Sequence, residues 1–96
     1  MKIVSKKIRA SARGENCTIR YPGCRNDRET VVLCHLNSKW KGTGNKSPDL
    51  FGVYGCHYCH GHLDHGFVED CDKIRALQET QMRLYEKGLI VVPDAK

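Results

Sequence analysis

Four of the six cysteines are spaced as two metal-binding pairs. In one pair only two residues separate the cysteines, a spacing at which both thiolates can bind one zinc ion at about 2.3 Å. In the other pair six residues intervene, among them a Tyr-Pro-Gly turn that can fold the chain back. The two pairs predict a tetrahedral, structural Zn2+ site with four thiolate ligands, Cys17, Cys24, Cys56 and Cys59. Such a site can contribute on the order of 10 kcal/mol or more to the folding of a small domain.

Disulfides and free buried thiols are the alternatives to a zinc site. The basic N-terminus is not followed by the apolar stretch of a secretory signal. We therefore expect a cytoplasmic protein, in which cysteines are more often metal ligands than disulfide partners. Of the two remaining cysteines, Cys34 lies in an apolar segment and is expected to be a small core residue. Cys71 is expected to be a helix-start residue without chemistry.

Five histidines form the second group of residues able to do chemistry, and four of them fall between positions 57 and 65. On a helix, His60 and Asp64 share a face, where they can bind a divalent cation that also contacts phosphate oxygens. Four histidines on one helix cannot all face inward, so we expect His57 and His62 to be mostly solvated. For His65, a plain position at the end of the helix is an equally good interpretation.

His35 ends an apolar segment, away from the other histidines and just before a loop rich in Lys and Gly. In one interpretation it is a lone histidine at the end of a strand, and its ring is hydrogen-bonded to a backbone carbonyl. In the other, the imidazole faces the metal-bearing helix and activates a water molecule. Because imidazole gains and loses its proton close to neutral pH, it suits the role of general base in hydrolysis.

Two short strands must position these groups. Apolar and β-branched residues predict a strand from Thr30 to Leu36, and a second, weaker one from Leu50 to Tyr54. The polar stretch between them, from Asn37 to Pro48, is a loop, so we expect a hairpin. Cys56 to His65 predicts a loop that turns into a helix.

A long helix is predicted from Asp72 to Lys87, packed on one face of the hairpin. Asp72 can cap its start, and Gly88 follows as a stop signal. Its apolar residues fall near one face, and they are Ile74, Leu77, Leu84 and Tyr85. Residues 89–92 form an apolar tail, either one more strand or a packing arm. Residues 1–16 show no clean period.

The length and charge of the chain limit its class. Ninety-six residues suffice for one domain, and no apolar run approaches the roughly 18 residues of a membrane span. Residues 1–28 carry eight Lys and Arg against two acidic residues, a net charge of +6, whereas the remainder is close to neutral. This basic segment predicts a phosphate-binding surface; the alternative is a solvated arm that only improves solubility.

The order of these features resembles the HNH endonucleases, whose core is a ββα-metal fold. More narrowly, the chain is similar to the small phage- and prophage-encoded nucleases of the YbcO type, over roughly residues 15–65. The segments that carry the narrower likeness are CTIRYPGC, ETVVLCH, GTGNK, DLF and CHYCHGHLD. The resemblance implies an α+β, zinc-stabilised ββα-metal domain with an additional C-terminal helix. The expected organisation is a basic arm at 1–14, the core at 15–65 and the helix at 70–88.

The resemblance also implies roles for individual residues. His35 matches the general base, His60 matches the ligand of a catalytic divalent cation such as Mg2+, and Asp64 has the spacing of a second ligand. Two positions depart from the pattern. Cys34 stands where an acidic or His ligand is common, and Phe51 stands where the middle Asn is expected. The nearest polar residues that can replace that Asn are Asp49 and Asn45.

These features predict a metal-dependent DNA endonuclease with a separate structural zinc. Loop lysines are expected to hold DNA phosphates without reading bases, and they are Lys39, Lys41 and Lys46. Trp40 can pack against a sugar or base, or cap the core. Recombination or phage replication proteins are candidate partners, and no membrane association is expected. The alternative function is a non-catalytic zinc module that binds nucleic acid or another protein.

Overall fold

A computed structural model describes residues 3–38 and 47–95. In this part of the chain, a two-stranded sheet is surrounded by three α-helices, an α+β arrangement. The elements in chain order are α1 (Lys6–Ser11), β1 (Val32–His35), β2 (Gly52–Gly55), α2 (His57–Asp64) and α3 (Asp70–Glu86). No helix in the described ranges is long and apolar enough to cross a membrane.

The predicted hairpin is confirmed, with shorter strands. β1 and β2 pair antiparallel, with Val32 opposite Gly55 and His35 opposite Gly52. Each strand starts late because a turn of 3-10 helix precedes it, at Arg28–Thr30 and at Asp49–Phe51. The second of these turns brings Asp49 to the end of β1 that carries His35.

A glycine opposite His35 is a packing requirement of the hairpin. A Cβ atom at Gly52 would lie only 2.5 Å from the Leu33 Cγ atom. The absence of a side chain therefore lets Leu33 lie across β2. The strand tolerates this glycine because the neighbouring residues of β2 are fully buried.

The long helix is confirmed, with bounds that differ slightly from the prediction. Gly88 adopts a left-handed φ of +74° just after it, and the Leu89 N–H donates to the Leu84 carbonyl at 2.9 Å. This is the hydrogen bond of a Schellman motif. Residues 89–92, which follow the helix, do not form a strand. Leu89 and Ile90 pack against the core, whereas Val91 and Val92 are exposed, so the packing-arm interpretation holds for the first half of this tail.

Two details predicted for α3 are wrong. The buried stripe is Ala76, Thr80 and Leu84, whereas Ile74 is 58% exposed. Small residues face the sheet because α3 packs closely on β2, where the Thr80 hydroxyl accepts a hydrogen bond from the Tyr54 N–H at 3.0 Å. Asp72 does not cap the helix. It lies within the first turn and accepts a hydrogen bond from Arg75 at 2.7 Å.

The basic N-terminal segment contains a helix that the sequence pattern did not predict. Ser5 caps α1 by accepting a hydrogen bond from the Ile8 N–H at 3.1 Å. Ile8 and Ala12 are four positions apart and both buried. Six residues are too few to show a helical period, which explains why the apolar pattern of the sequence did not predict this helix. Part of the expected arm is therefore docked on the domain.

Candidate active site and metal centre

The four predicted zinc ligands come together in the structure. Their Sγ atoms all lie within 4.8 Å of one another, and all four cysteines are free. The Sγ atoms of Cys24 and Cys56 are 3.8 Å apart. A tetrahedral zinc site with bonds of 2.3 Å has sulfur–sulfur edges of about 3.8 Å. Donor chemistry and geometry therefore fit a Zn2+ ion, and the separation is far too long for a disulfide.

The wide gap between Cys17 and Cys24 is closed by the predicted turn. Gly23 has a φ of +94°, and a Cβ atom there would lie 2.5 Å from the Tyr58 hydroxyl. That hydroxyl donates a hydrogen bond to the Pro22 carbonyl at 2.7 Å. The turn is thereby fastened to α2, which begins immediately after Cys56.

Backbone amides surround the sulfur cluster. Burial raises the pKa of Cys17, but hydrogen bonds from the Arg20, Cys56 and Ile19 amides outweigh it and hold that pKa below its ordinary value. Burial raises the pKa of Cys24, and the Asn26 N–H, which donates to its sulfur at 3.3 Å, opposes this only in part. Such donors favour thiolate, which is the form that binds a metal.

His35 is held by Asp49 at the end of the hairpin. The Nε2 atom of His35 lies 2.7 Å from the Asp49 Oδ1 atom. The His35 side chain is 13% exposed, and the Asp49 side chain is completely buried. Because an ionised carboxylate only accepts hydrogen bonds, Nε2 carries the proton. Nδ1 makes no hydrogen bond within the described part of the chain, so its lone pair is available as a base.

Asp49 is also bound by the N-terminal segment. Its Oδ2 atom accepts from the Ser5 N–H at 2.7 Å and from Arg9 Nε at 2.9 Å, and its Oδ1 atom accepts from Arg9 Nη2 at 3.1 Å. Burial raises the pKa of Asp49, but the hydrogen bonds from Arg9, His35 and Ser5 outweigh it and lower that pKa. The carboxylate is therefore ionised at neutral pH and fixes the tautomer and orientation of the His35 ring.

A small polar cavity lies in front of His35. It has a volume of about 200 Å3, and its lining includes His35, Asp64 and Lys73. The His60 Nε2 atom on α2 lies 3.4 Å from the Asp64 Oδ2 atom. The predicted base and one predicted metal ligand, Asp64, thus line the same cavity, and the second predicted ligand, His60, contacts Asp64.

The His60–Asp64 pair is more exposed than expected and supplies two ligands only. The Asp64 side chain is 62% exposed and that of His60 is 38% exposed. Within the described ranges, no third His, Cys, Asp or Glu completes a cluster with this pair. A cation bound there would take its other ligands from water or phosphate, as Mg2+ commonly does.

The other histidines of α2 differ from one another. His57 and His65 are exposed. His62 is not mostly solvated, contrary to expectation, because its ring stacks on Tyr21 with centroids 4.2 Å apart. Cys34 is fully buried, and burial, the largest cause, raises its pKa to about 12. It is therefore a core residue, as predicted, and not a metal ligand.

Four predicted residues lie outside the described residues, namely Lys39, Lys41, Asn45 and Lys46, and so does Trp40. Two residues at the site were missed by the sequence analysis, Ser5 and Arg9. Arg9 was counted only as part of the basic segment. No spacing rule links it to a residue 40 positions away, so only the folded structure reveals this contact.

Comparison with known proteins gives consistent matches. Residues 6–88 match the family model described as "Putative nuclease YbcO". A protein of that name from Escherichia coli K12 is 34% identical over 92 residues, covering 86% of this chain and 95% of the relative. A protein of Enterobacteria phage 82 with the same description matches equally. A solved "putative bacteriophage protein" from Escherichia coli K-12 has a TM-score of 0.66 and 30% identity, covering 85% of this chain and all of that one.

Proposed function

The chain belongs to the YbcO family, and we propose that it is a metal-dependent DNA endonuclease of the HNH type with a separate structural zinc. The observation that carries this proposal is the His35–Asp49 pair, 2.7 Å apart, at a cavity whose lining includes Asp64. Two relatives carry the name "Putative nuclease YbcO", which supports the same class of activity.

In the proposed reaction, His35 removes a proton from the attacking water. Its Nδ1 lone pair accepts that proton while Nε2–H stays hydrogen-bonded to Asp49. The resulting imidazolium is stabilised by the adjacent carboxylate. A divalent cation, when bound by His60 and Asp64, supplies Lewis-acid stabilisation of the charge that develops on the phosphate. Asp49 takes the place of the middle Asn as the residue that orients the base.

The four cysteines are proposed to hold Zn2+ for stability and to take no part in hydrolysis. Four thiolates leave no open position for water or substrate. The site ties the turn at Gly23 to the start of α2. It thereby fixes the helix that carries His60 and Asp64.

The test is nicking of supercoiled plasmid by zinc-loaded protein, with Mg2+ or Mn2+ added. The parent should nick only with the added cation, and His35→Ala should lower the rate by about 100-fold or more. His60→Ala should also be inactive at the cation concentration that saturates the parent. His57→Ala is the matched control, since this exposed histidine lies on the same helix and should leave the rate unchanged.

One observation favours a second function. The His60–Asp64 pair lacks a third ligand among the described residues, as expected for a non-catalytic zinc module that binds nucleic acid or a protein. If no cation supports nicking, this module becomes the better description. If His35→Ala nicks as fast as the parent, the assignment of the base is wrong.

A further inference from the structure

A cluster of aromatic rings lies along α2 and the loop that follows it, and on the turn between Cys17 and Cys24, next to the sulfur cluster. We call it the ring surface, and its members are Tyr21, Tyr58, His62, His65 and Phe67. His62 lies at its centre, stacked on Tyr21 at 4.2 Å and edge-on to Tyr58 at 4.5 Å. Phe67 extends it, with its ring 6.0 Å from that of His62 and stacked near His65 at 5.9 Å.

The rings at the edge of this surface are exposed, and their backbone or side chain is hydrogen-bonded to neighbouring residues. Phe67 is 59% exposed and Tyr58 is 44% exposed. The Tyr58 hydroxyl is hydrogen-bonded to the Pro22 carbonyl, and the Phe67 N–H donates to the His62 carbonyl at 3.0 Å. Burial in the core therefore does not explain why Phe67 is aromatic. A cluster of aromatic rings that is open to solvent is suited to stacking on a planar ligand.

The position of Phe67 relates this surface to the proposed active site. Phe67 follows Asp64 by three residues, so their Cα atoms are at most about 11 Å apart. That distance is no longer than a few nucleotides of an unpaired strand, whose phosphates lie farther apart than the roughly 3.4 Å per nucleotide of a duplex strand. A strand whose phosphate lies at the cavity can therefore reach the ring surface with a nearby base.

We propose that the ring surface stacks unpaired nucleobases, so that the substrate is DNA with unpaired nucleotides next to the cleaved phosphate. This inference rests on the proposed function. Bases inside a duplex already stack on their neighbours, whereas unpaired bases offer free faces to aromatic side chains. The five members are tyrosine, histidine and phenylalanine rings, without Lys or Arg. Recognition here comes from ring stacking and not from attraction to phosphate.

The test compares binding of a single-stranded oligonucleotide with binding of a duplex of equal length, by fluorescence anisotropy without divalent cations. Phe67→Ala should weaken single-strand binding by about 5- to 100-fold and leave duplex binding nearly unchanged. Phe67→Leu should behave like Phe67→Ala because it keeps an apolar side chain but loses the ring, whereas Phe67→Trp should restore binding. Ile74→Ala, at a comparably exposed apolar residue of α3, is the control.

Two further readouts identify stacking as the cause. 2-Aminopurine in the strand should be quenched by the parent and not by Phe67→Ala. The fold-change in single-strand affinity between the parent and Phe67→Ala should persist when salt is raised, since stacking releases few counterions. Full binding by Phe67→Leu, or equal losses for strand and duplex, would overturn the proposal, the first result showing that the aromatic ring is not required. Because the assay needs no cleavage, a protein that does not nick but binds as expected would contradict the proposed function and not the stacking of unpaired bases.

Discussion

Replacement of Asp49 by Asn tests whether the buried carboxylate connects the N-terminal segment to the base. The change keeps the size of the side chain and removes its charge. Each carboxylate oxygen accepts two hydrogen bonds, from Ser5 and Arg9 on one side and from Arg9 and His35 on the other. Whichever oxygen becomes the amide group, two donors then face another donor.

The expected loss of stability follows from these contacts. Two lost hydrogen bonds to a charged group amount to about 3–6 kcal/mol. The Arg9 side chain is 42% exposed, so water can replace part of its contact and a net loss of about 2–4 kcal/mol remains. A chain of this length is stable by about 5–14 kcal/mol, so the variant should still fold. Its melting temperature should fall by about 10–25 °C.

Thermal unfolding followed by circular dichroism measures the stability, and plasmid nicking well below the melting temperature measures the activity. We expect Asp49→Asn to nick about 100-fold more slowly or worse, because His35 loses the partner that fixes its tautomer. Asp72→Asn is the matched control. It breaks one half-exposed contact with Arg75 and should lower the free energy of unfolding by less than about 1 kcal/mol. Unchanged melting of Asp49→Asn, or an unchanged nicking rate, would refute the reasoning.

Two more predictions concern stability and metal content. A hydrogen bond from Arg83, opposed by burial, lowers the pKa of Glu15 from 4.5 to about 2. Glu15→Gln should therefore lower the free energy of unfolding by about 1–2 kcal/mol at neutral pH. In urea unfolding, this difference from the parent should shrink as pH falls from 4.5 to about 2, since a lowered pKa stabilises only the ionised form. A difference in free energy of unfolding that stays constant with pH would contradict this prediction. Cys56→Ser should lower the zinc content, measured by elemental analysis, from about one ion per chain to near zero and leave the chain largely unfolded. Cys71→Ser, at an exposed cysteine, should keep both the zinc and the fold. Equal zinc content in the two variants would exclude the thiolate site.

The parts of the fold that depend on local pattern were predictable from sequence. The hairpin, α2, α3 and the Gly88 stop follow from apolar runs, spacing and turn residues. The convergence of the four cysteines follows from the close spacing of Cys56 and Cys59 together with the Tyr-Pro-Gly turn between Cys17 and Cys24. The apolar face of α3 was mispredicted because Ile74 looks like a core residue. Close packing against β2 instead selects Ala76 and Thr80 for the buried stripe.

The contacts of His35, the proposed base, could be predicted only in part. Asp49 was one of two candidates to replace the middle Asn, and sequence alone did not separate it from Asn45. The 3-10 turn before β2 brings Asp49 to His35, and such a turn has no clear pattern. The role of Arg9 depends on the docking of α1, a helix too short to show a period. Long-range contacts of this kind arise from the tertiary fold.

Chemical rescue of His35→Ala by imidazole addresses the proposed chemistry most directly. The variant removes the ring beside a cavity of about 200 Å3, which leaves room for a free imidazole molecule. With zinc loaded and Mg2+ present, we expect nicking by His35→Ala to rise with imidazole concentration, while His60→Ala stays inactive. Nicking by His35→Ala at the rate of the parent, with no imidazole added, would contradict the assignment of His35 as the base.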